Sequence, residues 1–238
     1  MTQFNTKRAS LDTLSPEDIC AVMKFEDGDP NENPWVLGKP PTLKIEIRDY
    51  DPIWATLFIQ EKARIQAALG EAALHIDHIG STAVPNLAAK PIIDIDLIVE
   101  DPTAENRYIP QLTALGYVHT IREPSWYEHR MLYLDKPQVN LHVFAPGCPE
   151  HLRHQLFRDW LMTHPDDLAT YAVSKMKAKE GVNTMMDYNQ KKNKNTVSRM
   201  WKLIRTRTPT IEMPCYSIDL SVRPVNSCSS IRKSKLRN

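Results

Sequence analysis

HIGSTAVPNLAAKPIIDIDLIV, residues 78–99, is the stretch of the chain that decides its fold. Its second half belongs to the most apolar strand pattern in the sequence, IIDIDLIVE at 92–100. Successive side chains of a strand point to opposite faces of a sheet, so Asp94 and Asp96 share one face. The other face is wholly apolar and consists of Ile93, Ile95, Leu97 and Val99.

The two aspartates predict a cation site. Two like charges on a buried strand repel each other and are costly to desolvate unless a cation lies between them. Carboxylate oxygens are the ligands that Mg²⁺ prefers, so we expect Asp94 and Asp96 to hold this metal. The alternative is an exposed face of an edge strand, which the apolar surroundings of both residues disfavour.

The turn before this strand, Gly80-Ser81-Thr82, offers backbone N–H groups and hydroxyls that could bind a phosphate. The alternative is an ordinary helix N-cap, a role that Ser and Thr often have. Here Gly-Ser is followed thirteen residues later by Asp-x-Asp. This spacing favours the first interpretation, because the two elements would supply the phosphate cradle and the metal ligands of one site.

Hydrophobic periodicity predicts an α+β domain with a helical C-terminal part, since strand patterns come first and helical patterns last. In one helix an apolar stripe runs from Trp54 to Leu69, and Gly70 ends it. We expect strands at 43–47, 74–80, 92–100, 116–120, 129–134 and 139–145, and helices near 15–25, 54–69, 104–115, 150–164, 165–180 and 185–207.

Composition is typical of one ordinary soluble domain, with 42% hydrophobic and 25% charged residues in 238. We expect an N-terminal extension at 1–40, a single domain at 41–207 and a flexible basic tail at 208–238. The chain has no apolar run of 18 residues and no apolar leader, so we expect a cytoplasmic protein without a membrane span.

Several classes of site are excluded by residue counts. The four cysteines form no CxxC pair, which argues against a zinc ribbon or a disulfide scaffold. The seven glycines are too widely spaced for GxGxxG, P-loop or nucleophile-elbow motifs.

Residues 188–238 carry twelve Lys or Arg against two acidic residues. Such a basic stretch can attract polyphosphate or nucleic acid, but a solvated helix face followed by a tail explains the charge equally well. No stacking-rich RNA motif accompanies them, so we do not expect nucleic acid as a partner.

The block at 78–99 resembles the signature of the GrpB family, whose domain belongs to the nucleotidyltransferase superfamily of the DNA polymerase beta type. The resemblance covers about 43–206 and includes NLHVF at 140–144 and LFRDWL at 156–161. Asn86 departs from the glycine that is usual in the family, but asparagine tolerates a left-handed backbone. The resemblance implies a mixed β-sheet flanked by helices. Members of this family also occur fused to dephospho-CoA kinase.

The resemblance also implies roles for these residues. The Gly-Ser turn would hold nucleotide phosphates, and the Asp-x-Asp pair would supply the first two metal carboxylates. A third carboxylate usually lies on a neighbouring strand, and the alternation of VNLHVFA at 139–145 puts His142 there. A histidine could act as metal ligand or general base, could mark a lost activity, or could be a satisfied core residue. Two nearby carboxylates should raise its pKa.

Further side chains could contact a nucleotide. Lys90 directly precedes the aspartate strand, and Arg130 opens the neighbouring hairpin. Tyr and Lys recur four residues apart, which aligns them on one helix face, where they could stack a base and hold a phosphate or simply belong to an amphipathic helix. The two pairs are Tyr171 with Lys175 and Tyr188 with Lys192.

Two histidines, His75 and His78, lie around the strand before the Gly-Ser turn. We expect His78 to pack or to form a hydrogen bond near the turn, and zinc binding by this pair would require further ligands. Arg158 and Asp159 are expected to form a structural ion pair on a helix.

We therefore expect a Mg²⁺-dependent protein that transfers a nucleotidyl group from a nucleoside triphosphate to an acceptor hydroxyl. His142 would orient or deprotonate that hydroxyl. The alternative is a catalytically silent nucleotide-binding or interaction module with a link to coenzyme A metabolism.

Overall fold

The computed structural model describes residues 14–38 and 46–179, which form a five-stranded sheet with helices on both sides. The helices are α1 (Pro16–Met23), α2 (Ile53–Leu69), α3 (Ile109–Ala114), α4 (Pro149–Thr163) and α5 (Pro165–Lys179). The strands are β1 (His75–Ile79), β2 (Ile93–Ile98), β3 (Val118–Glu123), β4 (His129–Leu134) and β5 (Val139–Phe144).

The strand order is β1-β2-β5-β4-β3. Strands β2 and β5 are parallel, and α3 and the β3–β4 hairpin form the long connection that parallel neighbours require. Every other neighbouring pair is antiparallel. The α+β fold with a mixed sheet and flanking helices is therefore confirmed, and the aspartate strand is central.

One face of the sheet carries the main hydrophobic core. Ile93, Ile95 and Leu97 of β2 are at most 1% exposed and pack with Trp54 and Ile65 of α2. Side chains of β4 and β5 continue this apolar layer: Leu132, Leu134, Val139, Leu141 and Val143. The alternation predicted for β2 is thus present.

The opposite face of the sheet carries polar side chains and lies under α4. Asp96 is paired with Asp77 of β1 and with His142 of β5, so all three side chains leave the sheet on this face. His151 and His154 of α4 bind Asp96 from above. Helices α1 and α5 pack against α4 in a second apolar cluster, formed by Val22, Val84, Leu87, Leu156, Leu161 and Tyr171.

Most predicted elements are present, with shifts at their ends. Gly70 ends α2 as predicted, with a φ of +54° that favours glycine. The strand expected at 116–120 begins at Val118 and continues to Glu123. The helix expected at 104–115 is divided into a 3-10 turn, Glu105–Arg107, and the shorter α3, whose Leu112 is buried in the main core.

Some predictions fall outside the described residues, namely the helix at 185–207 and the tail at 208–238. Most of the strand expected at 43–47 does so too, and Arg48 beyond it pairs with Ala89 through backbone hydrogen bonds of 2.8 and 2.9 Å. Within 14–38 and 46–179, no helix has the length and apolarity needed to cross a membrane.

Part of the predicted N-terminal extension belongs to the packed domain. Ser15 caps α1, as predicted, by accepting a hydrogen bond of 3.1 Å from the backbone N–H of Asp18. Val22 is fully buried in the second apolar cluster. Arg153 of α4 donates hydrogen bonds of 2.9 and 3.0 Å to the carbonyl oxygens of Val22 and Ala21. Helix α1 therefore stabilises α4, which covers the polar face.

Truncation of Val22 tests this role of α1. Because its side chain is fully buried, we expect Val22→Ala to lower the free energy of unfolding by about 1–3 kcal/mol. Chemical denaturation measures the change. Val173→Ala is the matched control, since Val173 lies on α5 with 55% of its surface exposed. Equal, small effects of both changes would show that α1 is not part of the cooperative unit.

Candidate functional site

The Gly-Ser turn lies directly against Asp94. Gly80 has a φ of +72°, and a Cβ atom there would overlap the carboxylate of Asp94, so only glycine fits. Asn140 of β5 donates a hydrogen bond of 2.9 Å from Nδ2 to Asp94 Oδ1 and thereby orients the carboxylate. Asp94 and Asn140 are half-buried, as is Ser81 at the start of the 3-10 turn Ser81–Ala83. This end of the site is open to solvent.

Asp96 forms the closed end of the site. Its side chain is fully buried, and its Oδ2 atom lies 2.9 Å from Nδ1 of His151 and 2.9 Å from Nδ1 of His154. Its other oxygen, Oδ1, is buried and has no hydrogen-bond partner within the described part of the chain. One oxygen of Asp96 is therefore held by α4, and the other is left for a further partner.

The charge of Asp96 is balanced inside the protein. Burial opposes the charged form of His154, but the charge of Asp96 and the hydrogen bond to it raise the His154 pKa to about 9. Burial likewise opposes ionisation of Asp96, but the charge of His154 and the hydrogen bonds from both histidines hold its pKa well below the usual range. The expected repulsion between the aspartates is thus relieved by an imidazolium even without metal.

His142 lies at the position predicted for the third ligand, paired with Asp96 across the parallel strands. Its Nδ1 atom is 3.0 Å from Nε2 of His129, and the two rings are stacked. Nδ1 of His129 is 2.7 Å from a carboxylate oxygen of Glu123. Because Nδ1 of His129 donates to Glu123, the two imidazoles share one proton between them. In the neutral pair this proton belongs to His142 Nδ1, and His142 Nε2 keeps its lone pair.

The predicted direction of the His142 pKa is wrong. Burial, followed by the repulsion that a protonated His129 would add, outweighs the attraction of Asp96 and Asp94 and lowers this pKa to about 4. His142 is therefore neutral at physiological pH. A neutral imidazole can bind a metal or accept a hydrogen bond, but it is a weak base.

Thr82 is part of the frame of the site. It is 2% exposed, and its hydroxyl donates a hydrogen bond of 3.1 Å to the carbonyl oxygen of Ile92. The hydroxyl oxygen of Thr82 also lies 3.1 Å from Nε2 of His78, which stacks on Phe58. Burial, followed by the charge of Arg158, lowers the His78 pKa to about 4. The prediction that His78 forms a hydrogen bond near the turn is confirmed.

Arg130 does not reach this site. It pairs with Val143, so its side chain leaves the sheet on the core face, opposite Asp94 and Asp96. There its Nε atom lies 2.7 Å from Glu105 Oε1, and the residue is 4% exposed. The prediction that Arg130 contacts the phosphates is corrected by the register of β4.

Both residues of the predicted Tyr-Lys pair on α5 are buried, and Tyr171 belongs to the second apolar cluster. Tyr171 packs edge-on against Phe157, and Lys175 donates a hydrogen bond of 2.7 Å to the carbonyl oxygen of Ala88. Both therefore hold α5 against the segment after the Gly-Ser turn. Lys90 at the end of that segment is half-buried.

Contact of Lys90, Tyr171 or Lys175 with a nucleotide stays a prediction. The second pair, Tyr188 and Lys192, lies outside the described residues. Arg158 forms the expected ion pair with Asp159, at 2.8 Å.

The part of the chain that forms this site matches a known protein family. The family model described as GrpB protein matches residues 44–202, which include the Gly-Ser turn, both aspartates and α4. The chain belongs to the GrpB family. Placement of the chain in the nucleotidyltransferase superfamily is consistent with this membership.

Relatives and a solved structure agree with this assignment. A UPF0157 protein of Halalkalibacterium halodurans is 47% identical over 139 residues, which are 58% of this chain and 71% of the relative. A UPF0157 protein of Streptomyces coelicolor is 40% identical over 66% of this chain and 83% of its own length. The crystal structure of conserved protein GrpB from Enterococcus faecalis matches with a TM-score of 0.58 and 27% identity, covering 68% of this chain and 98% of that one.

Part of a larger enzyme is also similar. The dephospho-CoA kinase of Mycolicibacterium paratuberculosis is 30% identical over 156 residues, which are 55% of this chain and 38% of that protein. The similarity therefore covers a minority of the kinase.

The histidines that surround Asp96 were not predicted from the sequence. His151 and His154 lie three residues apart on α4, a spacing that puts both on one helix face. That spacing was visible in the sequence, but the face of α4 that meets the sheet is set by tertiary packing. His129 was missed because alternation along β4 gives the face on which it lies, whereas its neighbour on β5 depends on the strand register.

The ion pair between His154 and Asp96 predicts a dependence of stability on pH. A His154 pKa raised to about 9 contributes stability that is complete below the unfolded-state pKa near 6.5 and is lost as pH rises through 9. In metal-free buffer we expect His154→Gln to lower the free energy of unfolding at neutral pH by up to about 3 kcal/mol. The variant should also lose less stability than the wild type between neutral pH and pH ~10.

Denaturation by urea at several pH values measures this difference. His164→Gln is the matched control, because His164 lies at the end of α4 away from Asp96 and stacks on Trp160. Parallel stability curves for wild type and His154→Gln would contradict an ion pair at Asp96.

Proposed function

We propose that this protein binds a nucleoside triphosphate with Mg²⁺ and transfers the nucleotidyl group to an acceptor hydroxyl. The proposal is carried by the contact between Gly80 and Asp94. Here the backbone of the Gly-Ser turn lies against a carboxylate, the kind of ligand that Mg²⁺ prefers. A phosphate at the N–H groups of this turn would be next to a cation at Asp94.

The residues present fit such a cation. The buried Oδ1 atom of Asp96, which lacks a partner in the described part of the chain, is satisfied if a cation binds it. Asp94 carries a second carboxylate on the same face, and His142 Nε2 offers a lone pair in the neutral His129–His142 pair. When bound, Mg²⁺ would neutralise charge on the phosphates and favour departure of pyrophosphate.

The side chains of the chain itself would position the reactants. Asn140 holds Asp94 in place, and the backbone at Ser81 would bind the phosphates. The acceptor oxygen would form a bond to the α-phosphorus while the bond from that phosphorus to the β-phosphate oxygen breaks. Because the His142 pKa is about 4, the hydroxyl proton would pass to solvent. Where its Nε2 lone pair is not bound to the cation, His142 would instead orient the hydroxyl as a hydrogen-bond acceptor.

A catalytically silent nucleotide-binding module is the second candidate. It is favoured by the histidine at the third-ligand position, because His142 is stacked on His129 and already engaged through Nδ1. Similarity to part of dephospho-CoA kinases is compatible with a supporting role in coenzyme A metabolism. Release of pyrophosphate in the presence of a candidate acceptor would distinguish an enzyme from this module.

Replacement of Asp94 tests the proposed site. We expect Asp94→Asn to reduce Mg²⁺-dependent binding of nucleoside triphosphate by at least about tenfold, or about 1.4 kcal/mol, while the fold persists. Asp94 is preferable to Asp96, because Asp96→Asn would leave two histidines without their carboxylate. Isothermal titration calorimetry with each triphosphate, with and without Mg²⁺, measures the affinity.

Asp135→Asn is the matched control, since Asp135 lies exposed in the turn between β4 and β5. Unchanged metal dependence of binding in Asp94→Asn would show that the cation is held elsewhere. Absence of triphosphate binding by the wild-type protein with or without Mg²⁺ would contradict both candidate functions.

A further inference from the structure

A second group of metal-binding side chains lies at the edge of the sheet, on the other side of Asp96 from the Gly-Ser turn. His75 and Asp77 belong to the edge strand β1, and His151 belongs to α4. One ligand atom from each lies within 4.8 Å of the other two. We propose that His75, Asp77 and His151 form a binding site for a divalent transition metal such as Zn²⁺.

The distances show that three donor atoms converge on one point. Asp77 Oδ2 lies 2.9 Å from His75 Nε2 and 3.6 Å from His151 Nε2. Ligand atoms of a tetrahedral zinc ion at bond lengths of about 2.0–2.2 Å are separated by distances of about 3–4 Å. Small rotations of the side chains are therefore sufficient to place all three atoms around one ion.

The hydrogen bond to Asp96 sets the tautomer of His151 that a metal needs. Its Nδ1 atom donates to Asp96 Oδ2 at 2.9 Å, so in the neutral ring the Nε2 atom, which faces Asp77, carries the lone pair. Histidines that bind zinc commonly donate their other ring N–H to a carboxylate, which orients the ring and strengthens the ligand. Asp96 holds His151 in this way before any metal is bound.

The proposed metal site is open to solvent on the side of His75. Its side chain is 36% exposed, whereas that of His151 is 10% exposed. Metal binding would replace the hydrogen bond between His75 and Asp77, and neutral His75 would carry its proton on Nδ1 instead of Nε2. Three protein ligands with one side open leave a fourth position for water or for a ligand atom from outside.

Two neighbouring residues act on Asp77 without closing the site. Gln155 of α4 donates a hydrogen bond to Oδ2, and a carboxylate oxygen has further lone-pair positions for a metal. Arg158 lies 3.9 Å from the other oxygen, Oδ1, and its charge weakens the attraction of Asp77 for any cation. Imidazole ligands are therefore needed for affinity, which favours Zn²⁺ over Mg²⁺.

The site also connects two elements of the fold. Two ligands come from β1 and one from α4, so a bound metal would fasten α4 to the edge of the sheet. A ligand that binds the native state and not the unfolded state raises the melting temperature. His78, the other histidine of β1 considered for zinc, does not take part, because its Nε2 atom is held by Thr82.

Zinc titration of the full chain tests the proposal. After removal of metals with a chelator, isothermal titration calorimetry with ZnCl₂ should show one site. In Asp94→Asn, which lacks the proposed Mg²⁺ ligand, Zn²⁺ but not Mg²⁺ should raise the melting temperature. His75→Gln and His151→Gln should each weaken this binding about tenfold or more. Since His151 also binds Asp96, the half-exposed His75 is the more informative position if His151→Gln folds poorly.

Two controls separate this site from others in the molecule. His164→Gln should leave zinc affinity unchanged. Asp94→Asn should also retain zinc binding even though it removes the proposed Mg²⁺ ligand, so that failure of one site can be distinguished from failure of the other. Substitution of Co²⁺ should give the visible spectrum of a tetrahedral site without a thiolate charge-transfer band. Wild-type zinc affinity in His75→Gln, or a thiolate band, would overturn the proposal, as would absence of zinc binding.

Discussion

The buried carboxylate of Asp96 is the constraint on which the arrangement of this protein depends. An isolated charge with no exposure to solvent would be very costly, so the fold must bring opposite charge or hydrogen-bond donors to it. Helix α4 supplies them through His151 and His154, and α1 and α5 in turn pack against α4. The helical layer over the polar face is thus positioned by a charge on the central strand, whereas the layer on the other face follows from apolar burial.

The parts of the site that lie on strands could be predicted from the sequence, because alternation with a period of two is a local property. It placed Asp94 and Asp96 on one face of β2 and His142 beside them, as the register shows. The same alternation could also have given the face of the sheet on which Arg130 lies. Arg130 alternates in phase with Leu132 and Leu134, both of which belong to the core, so it could have been assigned to the core face.

The remaining features could not be predicted because they depend on how distant elements meet. Nothing local to α4 specifies which of its faces contacts the sheet, and so the partners of Asp96 were not found. The pKa of His142 was predicted in the wrong direction for the same reason. The prediction counted only the two nearby carboxylates, whereas the ring is desolvated beside His129 and the charge of Asp96 is already balanced by His154.

Asp96 also links the two proposed metal sites, since each uses a different one of its oxygens. Oδ2 accepts from His151, a proposed zinc ligand, and Oδ1 is the buried atom that a cation near Asp94 would satisfy. A metal bound to Nε2 of His151 polarises the ring and strengthens its Nδ1–H bond to Asp96, which draws negative charge toward Oδ2. Less charge then remains on Oδ1 for the second cation. Two divalent ions, one bound to Oδ1 of Asp96 and the other to the histidine that donates to Oδ2, also repel each other across a poorly solvated interior. Occupation of the edge site should therefore weaken Mg²⁺ binding near the Gly-Ser turn, and by thermodynamic reciprocity Mg²⁺ should weaken zinc binding by the same factor.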